Sequence, residues 1–261
     1  MTDDNREWVL LRRDGPVAIL TINYPERRNA YGMGVKRDLM GRMGELMADR
    51  DCRAIVLTGA GGNFCAGGDI SQMKARDFLD GRTALDTSHS LVRLMVNGPK
   101  PLIAAVEGYA YGAGMSLAAA CDYVVTAASA KYCCAFVRIG LVPDMGLRWT
   151  LSQRVGIAKA KELMMLATEF DGTEAARLGL ANEVAAPGAA LDAAIAAGHR
   201  FAEKPPIALG LIKAGFARGS DALDDVLKSE LDYQPVLKTT HDNQEAVKAF
   251  LEKRKPVFTG R

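Results

Sequence analysis

The stretch RAIVLTGAGGNFCAGGDI, residues 53–70, decides the fold. Its first part, RAIVLTG (53–59), is a short apolar run that predicts a buried strand. Its second part is rich in glycine, and Asp69 stands where a helix that begins at Ile70 would need its N-terminal cap. A strand that leads through glycines toward a helix indicates an α/β structure.

The same plan returns about 45 residues later. PLIAAVEG (101–108) predicts a strand, YAYGAG (109–114) a glycine-rich loop, and MSLAAACD (115–122) the start of a helix of small residues. DYVVTA (122–127) predicts a further strand. Strands that alternate with helices favour layered α/β packing.

The flanking segments complete the predicted organisation. VLLRR and VAILTIN lie around the turn dipeptide Asp14-Gly15 and predict a hairpin, and 35–48 has helical periodicity. From about residue 153 the pattern is helical. We therefore expect an α/β core over 1–200 and a helical region over 201–261.

Composition excludes several classes of function. The 261 residues are 49% hydrophobic and 25% charged, and 33 basic against 31 acidic residues give a net charge of +2. This balance gives no case for nucleic acid or a membrane surface as partner. The start MTDDNREW is not a signal peptide, and no apolar run reaches the ~18 residues that span a bilayer.

Cysteine and histidine usage predicts neither disulfides nor a metal site. The five cysteines are odd in number and form no C-x-x-C pair, and the three histidines have no metal-ligand spacing. A reducing cytoplasm is the expected location.

The two glycine loops predict an oxyanion hole, a pair of backbone amides that bind a developing negative oxygen. Free amides at a helix N-terminus favour negative charge, and Gly68 and Ala113 are the expected donors. Neither loop carries a nucleotide-binding glycine motif, and no G-x-S-x-G elbow of a hydrolase is present.

Three segments together carry a resemblance to a known family. NFCAGGDI (63–70), AVEGYAYGAGMSLAAACD (105–122) and IGLVPDMG (139–146) resemble the enoyl-CoA hydratase/isomerase (crotonase) superfamily, and the likeness covers nearly the whole chain. It implies a spiral of repeated ββα units followed by a C-terminal helical trimerisation region. It implies an acyl-CoA substrate, a homotrimer or dimer of trimers, and no cofactor beyond the coenzyme A of the substrate.

The resemblance also implies the roles of particular residues. Gly68 and Ala113 would hold the thioester oxygen, and Arg27 in PERRNA would face the CoA phosphates. A weaker implication is that Lys253 contacts a CoA phosphate, either in its own subunit or in a neighbouring one. The adenine end would lie against Ala66, Asp69 and Ile70.

The chain departs from the hydratase pattern at both acidic positions. Hydratases of the family use two glutamates, and the matching positions are Ser116 and Phe136. Neither side chain takes a proton from water at neutral pH, so hydration by the usual mechanism is not expected.

Asp144 in GLVPDMG is the expected base instead. Asp after Pro and two residues before Gly suits a turn. Several isomerase branches of the family carry an acid in this turn, and the sequence resembles the enoyl-CoA delta isomerases and especially the ring epoxyphenylacetyl-CoA isomerases. Its apolar neighbours Val142, Met145 and Leu147 would desolvate the carboxylate and make it more basic. We expect it to move a proton between two carbons and shift a double bond from β,γ to α,β, as in fatty acid metabolism.

Other readings stay open from the sequence. Hydration through a different acid, decarboxylation and thioester hydrolysis all use the same oxyanion hole, and a non-catalytic CoA- or RNA-binding protein is a further alternative. Glu107 is the nearest rival acid and is expected to be structural. The acyl pocket is either lined by Tyr111, Arg148 and Trp149 or lies apart from them. Nothing near Cys65 in the sequence would activate its thiol as a nucleophile.

Overall fold

A computed structural model describes residues 6–72, 78–217 and 223–261. The strands of the described residues are β1 Val9–Asp14, β2 Val17–Ile22, β3 Ala54–Gly59, β4 Leu102–Val106, β5 Tyr109–Tyr111, β6 Tyr123–Ala127, β7 Lys131–Cys133, β8 Phe170–Asp171 and β9 Glu183–Ala185. The helices are α1 Met33–Ala48, α2 Phe78–Asn97, α3 Ala113–Ala119, α4 Leu147–Val155, α5 Ile157–Leu166, α6 Gly172–Arg177, α7 Ala190–Ala202, α8 Pro206–Ala217, α9 Leu223–Lys238 and α10 His241–Leu251.

A six-stranded sheet in the order β1-β2-β3-β4-β6-β9 forms the centre of the chain. The hairpin β1–β2 is antiparallel, as the sequence predicts, and every other pairing in this sheet is parallel. Parallel neighbours require crossovers, which the helices supply. The α/β class expected from the sequence is confirmed.

Both faces of this sheet are buried, which explains the continuous apolar runs of its strands. In β3, Ile55 and Leu57 face the larger core with α1 and α2, whereas Ala54 and Val56 face the opposite core beneath α7. The run AIVL therefore has no polar side, and alternation along the strand separates the two cores.

The second predicted strand unit differs from the expectation of one strand followed by a loop. The segment 101–111 forms two strands, because Gly108 turns the chain at φ +54° and a Cβ there would lie 2.4 Å from Gly62 O. After this turn, β5 joins a separate three-stranded sheet, β5-β7-β8. The glycine turn therefore moves the chain from one sheet to the other directly before the second loop.

The C-terminal half is helical, as expected, and includes short strands that the sequence does not predict. β8 and β9 have two and three residues, too few for a periodic signal. The predicted boundary at residue 200 falls inside α7, which packs on the central sheet, and the division into two parts stays a prediction. The residues after α10 contact the α/β part of the chain, because Arg53 donates a hydrogen bond to the carbonyl of Phe258.

Candidate active site

The two glycine loops lie against each other. A Cβ on Gly112 would lie 3.7 Å from Gly67 Cα, and a Cβ on Gly114 would lie 2.1 Å from the carbonyl oxygen of Cys65. The second distance is shorter than any real Cβ contact, so only glycine lets the start of α3 approach the first loop this closely. The loops therefore converge, as the oxyanion-hole prediction requires.

The N–H groups of Gly68 and Ala113 are not used by the bridge and the helix to which these residues belong. Gly68 forms a parallel bridge with Tyr31, in which Tyr31 N donates to Gly67 O at 2.7 Å and Asp69 N approaches Tyr31 O at 3.4 Å. In this pattern the N–H of Gly68 itself points away from Tyr31. Ala113 is the first residue of α3, and the first amides of a helix have no carbonyl partner within it.

Asn29 holds the first loop in place, and the sequence gives no warning of this role. Its side chain is fully buried, accepts from Tyr24 N at 2.9 Å, and donates to Ala60 O at 2.8 Å and Asn63 O at 2.6 Å. It adopts φ +60°, a conformation that Asn tolerates better than most residues. The PERRNA turn and the first glycine loop thus form one unit.

Asp144 lies in the turn before α4, and its backbone carbonyl is hydrogen-bonded to a side chain of α3. Ser116 Oγ lies 3.2 Å from Asp144 O and 3.3 Å from Gly112 O, and Leu147 N donates to Asp144 O at 3.1 Å. Gly146 closes the turn at φ +73°. The turn thus positions this carboxylate, and Ser116 connects it to the helix that begins at Ala113.

Asp144 as a whole is half-buried. Its Oδ1 is buried, and no group in the described ranges hydrogen-bonds to it. Burial raises the pKa of Asp144 above its ordinary value, while electrostatic interactions with His89 and Lys36 oppose the increase. A carboxylate with a raised pKa is a stronger base than an exposed one.

Ser116 and Phe136, which the resemblance matches to the hydratase glutamates, have side chains that serve the fold. Ser116 is fully buried and its hydroxyl contacts the two carbonyls named above. Phe136 is 7% exposed and belongs to the larger core. Neither side chain supplies an acid or base to the site.

The residues expected to bind CoA occupy two regions of the structure. Arg27 is exposed in the turn Pro25–Arg27, Ala66 N donates to Arg28 O at 3.0 Å, and Ile70 is 67% exposed. This surface is open to a ligand. Lys253 follows α10, which packs on α9, and its phosphate contact stays a prediction.

Asp69 is engaged by its own turn. Its carboxylate accepts from Ser71 N, Ser71 Oγ and Gln72 Nε2 at 3.0, 2.6 and 2.8 Å. It caps the single 3-10 turn Ile70–Gln72 instead of the helix expected there. Residues 73–77, where that helix would continue, lie outside the described residues.

The remaining polar candidates have structural partners. Glu107 Oε1 accepts from Gly188 N and Ala190 N, both at 3.0 Å, and so holds the start of α7. The carboxylate of Asp122 accepts one hydrogen bond from Leu102 N and one from Lys213 Nζ, each at 2.7 Å. The hydroxyl of Tyr111 donates to Glu169.

Trp149 lies on α4. It lines a cavity of about 350 Å³ together with Asp122 and Lys213, beside the C-terminal end of α3. Ala113 begins the same helix at its opposite end.

A cysteine nucleophile and a metal centre have little support in the described part of the chain. All five cysteines are buried and unpaired, and burial raises the pKa of the Cys65 thiol to about 12. Residues 6–72, 78–217 and 223–261 contain no group of three or more His, Cys, Asp or Glu side chains that could hold a metal ion. Within the same ranges no helix has the length and apolarity to cross a membrane.

Sequence reasoning missed Tyr31 and three side chains that interact with Tyr31 or with Asp144. Tyr31 precedes α1, Lys36 lies on α1, and Ser88 and His89 lie on α2. Lys36 and His89 interact electrostatically with Asp144, while Ser88 and Asp144 both influence the pKa of Tyr31. Only the tertiary packing of these helices brings them to the site, so no local motif could have indicated them.

The family model for enoyl-CoA hydratase/isomerase matches residues 12–261. The chain belongs to the enoyl-CoA hydratase/isomerase family. The resemblance noted in the sequence is thereby confirmed.

Curated members of this family carry names from two reaction classes. A 1,2-epoxyphenylacetyl-CoA isomerase of Escherichia coli is 36% identical and covers 98% of this chain and 99% of its own. A short-chain-enoyl-CoA hydratase of Clostridium acetobutylicum is 34% identical and covers 95% of each chain. These names establish the enoyl-CoA hydratase/isomerase family for this chain, without selecting one reaction.

Solved structures of the family share the fold. An enoyl-CoA hydratase from Polaromonas matches with a TM-score of 0.91 at 33% identity, and covers 96% of this chain and 99% of its own. One from Mycobacterium tuberculosis matches with a TM-score of 0.87 at 34% identity, over 97% and 99%. The crotonase fold expected from the sequence is confirmed.

Proposed function

We propose that this enzyme of the enoyl-CoA hydratase/isomerase family is an isomerase that moves a double bond in an enoyl-CoA thioester. The observation that carries the proposal is the carboxylate of Asp144, buried and unpartnered at Oδ1 in the described residues, with Ser116 and Phe136 at the positions of the hydratase glutamates. One carboxylate suffices to move a proton between two carbons. Adding water requires a second group that positions and splits the water.

The amides of Gly68 and Ala113 bind the thioester oxygen in this proposal. Two amide hydrogen bonds stabilise the enolate, so the C2–H bond becomes more acidic. The carboxylate of Asp144 takes the C2 proton, and the electron pair of that bond moves toward the thioester oxygen. The carboxyl group then returns the proton to C4, and the double bond moves from C3–C4 to C2–C3.

The site needs no group beyond those of the chain and the substrate. The proton leaves C2 and returns at C4, so the reaction is redox-neutral and consumes no water. We propose that coenzyme A enters as part of the substrate, with Arg27 near its phosphates and Ala66, Asp69 and Ile70 near its adenine. Because the carboxylate of Asp69 is engaged by its own turn, only the backbone of this residue is available to the adenine.

Hydration is the second candidate function, and His89 favours it. His89 lies on α2 and interacts electrostatically with Asp144. A histidine and a carboxylate together could hold and split a water molecule, which a single carboxylate does poorly. Several curated relatives, including one of Rhizobium meliloti that is 35% identical, carry the name enoyl-CoA hydratase with the qualifier "probable".

Assembly into a homotrimer, or a dimer of trimers, is part of the proposal. The C-terminal helices expose large apolar side chains, among them Leu231 at 74% and Phe250 at 83%. Such surfaces on a globular chain mark interaction sites. A cytoplasmic location stays a prediction from the cysteine usage.

Product analysis separates the two reactions. The protein is incubated with trans-3-hexenoyl-CoA and, separately, with trans-2-hexenoyl-CoA, and the products are identified by mass spectrometry and NMR. The isomerase proposal predicts that the 3-enoyl thioester becomes the 2-enoyl thioester with no change in mass. Addition of one water to trans-2-hexenoyl-CoA, without double-bond movement in the first substrate, would instead establish the hydratase.

A further inference from the structure

Two buried side-chain atoms in the described ranges have no hydrogen-bond partner, Tyr31 Oη and Asp144 Oδ1. Proteins satisfy nearly all buried polar groups, so each exception needs an explanation. An unsatisfied buried group destabilises the folded state. The need of Asp144 to receive a substrate proton explains one exception. The isomerisation described above gives no role to Tyr31.

Tyr31 is located beside the proposed oxyanion hole. Its backbone pairs with the first glycine loop on both sides of Gly68, and the residue as a whole is only 9% exposed. Its ring belongs to the same apolar cluster as Ala113 and Met145, the residue after Asp144. The hydroxyl is therefore enclosed among the elements that form the site.

The surroundings of this hydroxyl keep it protonated. Burial raises the pKa of Tyr31 to about 12, and the negative charge of Asp144 adds to the increase. Ser88 on α2 is close enough to oppose that increase, yet among the described residues no group completes a hydrogen bond with Tyr31 Oη. At neutral pH the site thus contains one unused donor, the phenol, and one unused acceptor, the carboxylate.

A plain alkyl chain would leave the phenol without a partner in the complex. An oxygen atom on the chain would accept its hydrogen bond and remove the cost of the unpaired group. We propose that Tyr31 donates a hydrogen bond to an oxygen atom of the acyl group, so that the substrate is an oxygen-bearing acyl-CoA. The inference rests on the proposed function, because it takes the site to bind CoA thioesters.

Equilibrium binding tests this substrate class without requiring turnover. Isothermal titration calorimetry measures the dissociation constants of butanoyl-CoA, 3-hydroxybutanoyl-CoA and 4-hydroxybutanoyl-CoA for the wild type and Tyr31→Phe. The wild type should bind one of the two hydroxylated thioesters about tenfold more tightly than butanoyl-CoA, which corresponds to about 1.4 kcal/mol. In Tyr31→Phe this ratio should fall to about one, with the affinity for butanoyl-CoA unchanged within about threefold.

Tyr132→Phe is the matched control for loss of a buried phenol. Tyr132 is fully buried, and its hydroxyl donates to Thr126 Oγ1 at 2.8 Å. Removing that partnered hydroxyl should lower the melting temperature and leave the binding ratio as in the wild type. Tyr31→Phe should keep or raise the melting temperature, because it removes an unpaired group.

The outcomes separate this inference from the proposed function. Binding of all three thioesters with equal affinity by the wild type, or a preference that survives Tyr31→Phe, would overturn the role of Tyr31 alone. A role in orienting Asp144 would appear as a lower kcat with an unchanged binding ratio, and would also overturn it. Failure of every thioester to bind would overturn the proposed function together with this inference.

Discussion

Two aspartates, Asp69 and Asp144, lie in turns at the candidate site and have opposite surroundings. Each oxygen of the Asp69 carboxylate accepts at least one hydrogen bond from Ser71 or Gln72. Asp144 Oδ1 is buried with no partner in the described residues. Asp69 therefore stabilises its turn, whereas the turn around Asp144 holds a carboxylate that is left for another molecule.

The comparison shows that burial alone does not identify a catalytic acid. Asp69 is 5% exposed, and Asp242, also buried at 2%, is satisfied by the backbone amides of Thr259 and Gly260. Hydrogen bonds occupy the acceptor positions of a carboxylate and leave fewer of them for another molecule. The missing partner distinguishes Asp144 from these two residues.

The largest expected effect comes from the same substitution at both turns. Asp144→Asn should lower kcat/KM for trans-3-hexenoyl-CoA by about 10²–10⁴-fold, the usual contribution of a general base. Asp69→Asn should keep kcat/KM within about tenfold and lower the free energy of unfolding by about 1 kcal/mol, because the amide nitrogen of asparagine cannot accept the hydrogen bond that one carboxylate oxygen of Asp69 accepts from Gln72. Steady-state kinetics and urea unfolding measure both. A loss of activity in Asp69→Asn as large as that in Asp144→Asn would break the distinction.

The second effect concerns the contact between the two glycine loops. Gly114→Ala places a Cβ against the carbonyl of Cys65, so the loops must separate and the two amides lose their common target. We expect kcat to fall by at least about tenfold, since one oxyanion donor contributes about 10²–10³-fold. Gly44→Ala is the control, because no atom lies within 4 Å of its Cβ position on α1. It should leave kcat unchanged and stabilise the helix by up to about 1 kcal/mol.

A third effect is the pH dependence of the rate. Burial raises the pKa of Asp144, so its basic form should be lost at a higher pH than the value of about 4 of an exposed aspartate. kcat/KM should fall about tenfold per pH unit below that raised pKa. A pH–rate profile of the wild type measures it. An acid limb at or below pH 4 would contradict the desolvated carboxylate.

The smallest effect is on stability. Because its pKa is raised on folding, Asp144 in its ionised form costs free energy of folding at neutral pH, and this cost disappears as the pH falls below about 4. Asp144→Asn should therefore raise the melting temperature at pH 7.5 by about 2 °C, and the gain should shrink as the pH approaches 4. Differential scanning calorimetry at several pH values measures the difference. A lower melting temperature at pH 7.5 would show that the charge has a stabilising partner.

The sequence predicts the parts of the fold that have a local pattern. The hairpin β1–β2, the strand β3 and the helix α1 follow from apolar periodicity and turn residues. The break at Gly108 and the short strand β5 do not, because the need for glycine arises from Gly62, a residue far away in the chain. Such a close approach has no local signal.

The same limit applies to the site. The two glycine loops and Asp144 belong to motifs, so they could be named from the sequence, although their roles remain predictions. Tyr31, Ser88 and His89 could not, because they reach the site through the packing of α1 and α2 around it. Asn29 is a similar case, since its hydrogen bonds span more than 30 residues of sequence.

Proton exchange at C2 of a saturated thioester tests the central claim most directly, because butanoyl-CoA can neither isomerise nor add water. The wild type and Asp144→Asn are incubated with butanoyl-CoA in heavy water, and deuterium at C2 is followed by NMR and mass spectrometry. The account predicts incorporation with the wild type and a rate at least about a hundredfold lower with Asp144→Asn. Equal incorporation by the two proteins would show that Asp144 is not the base.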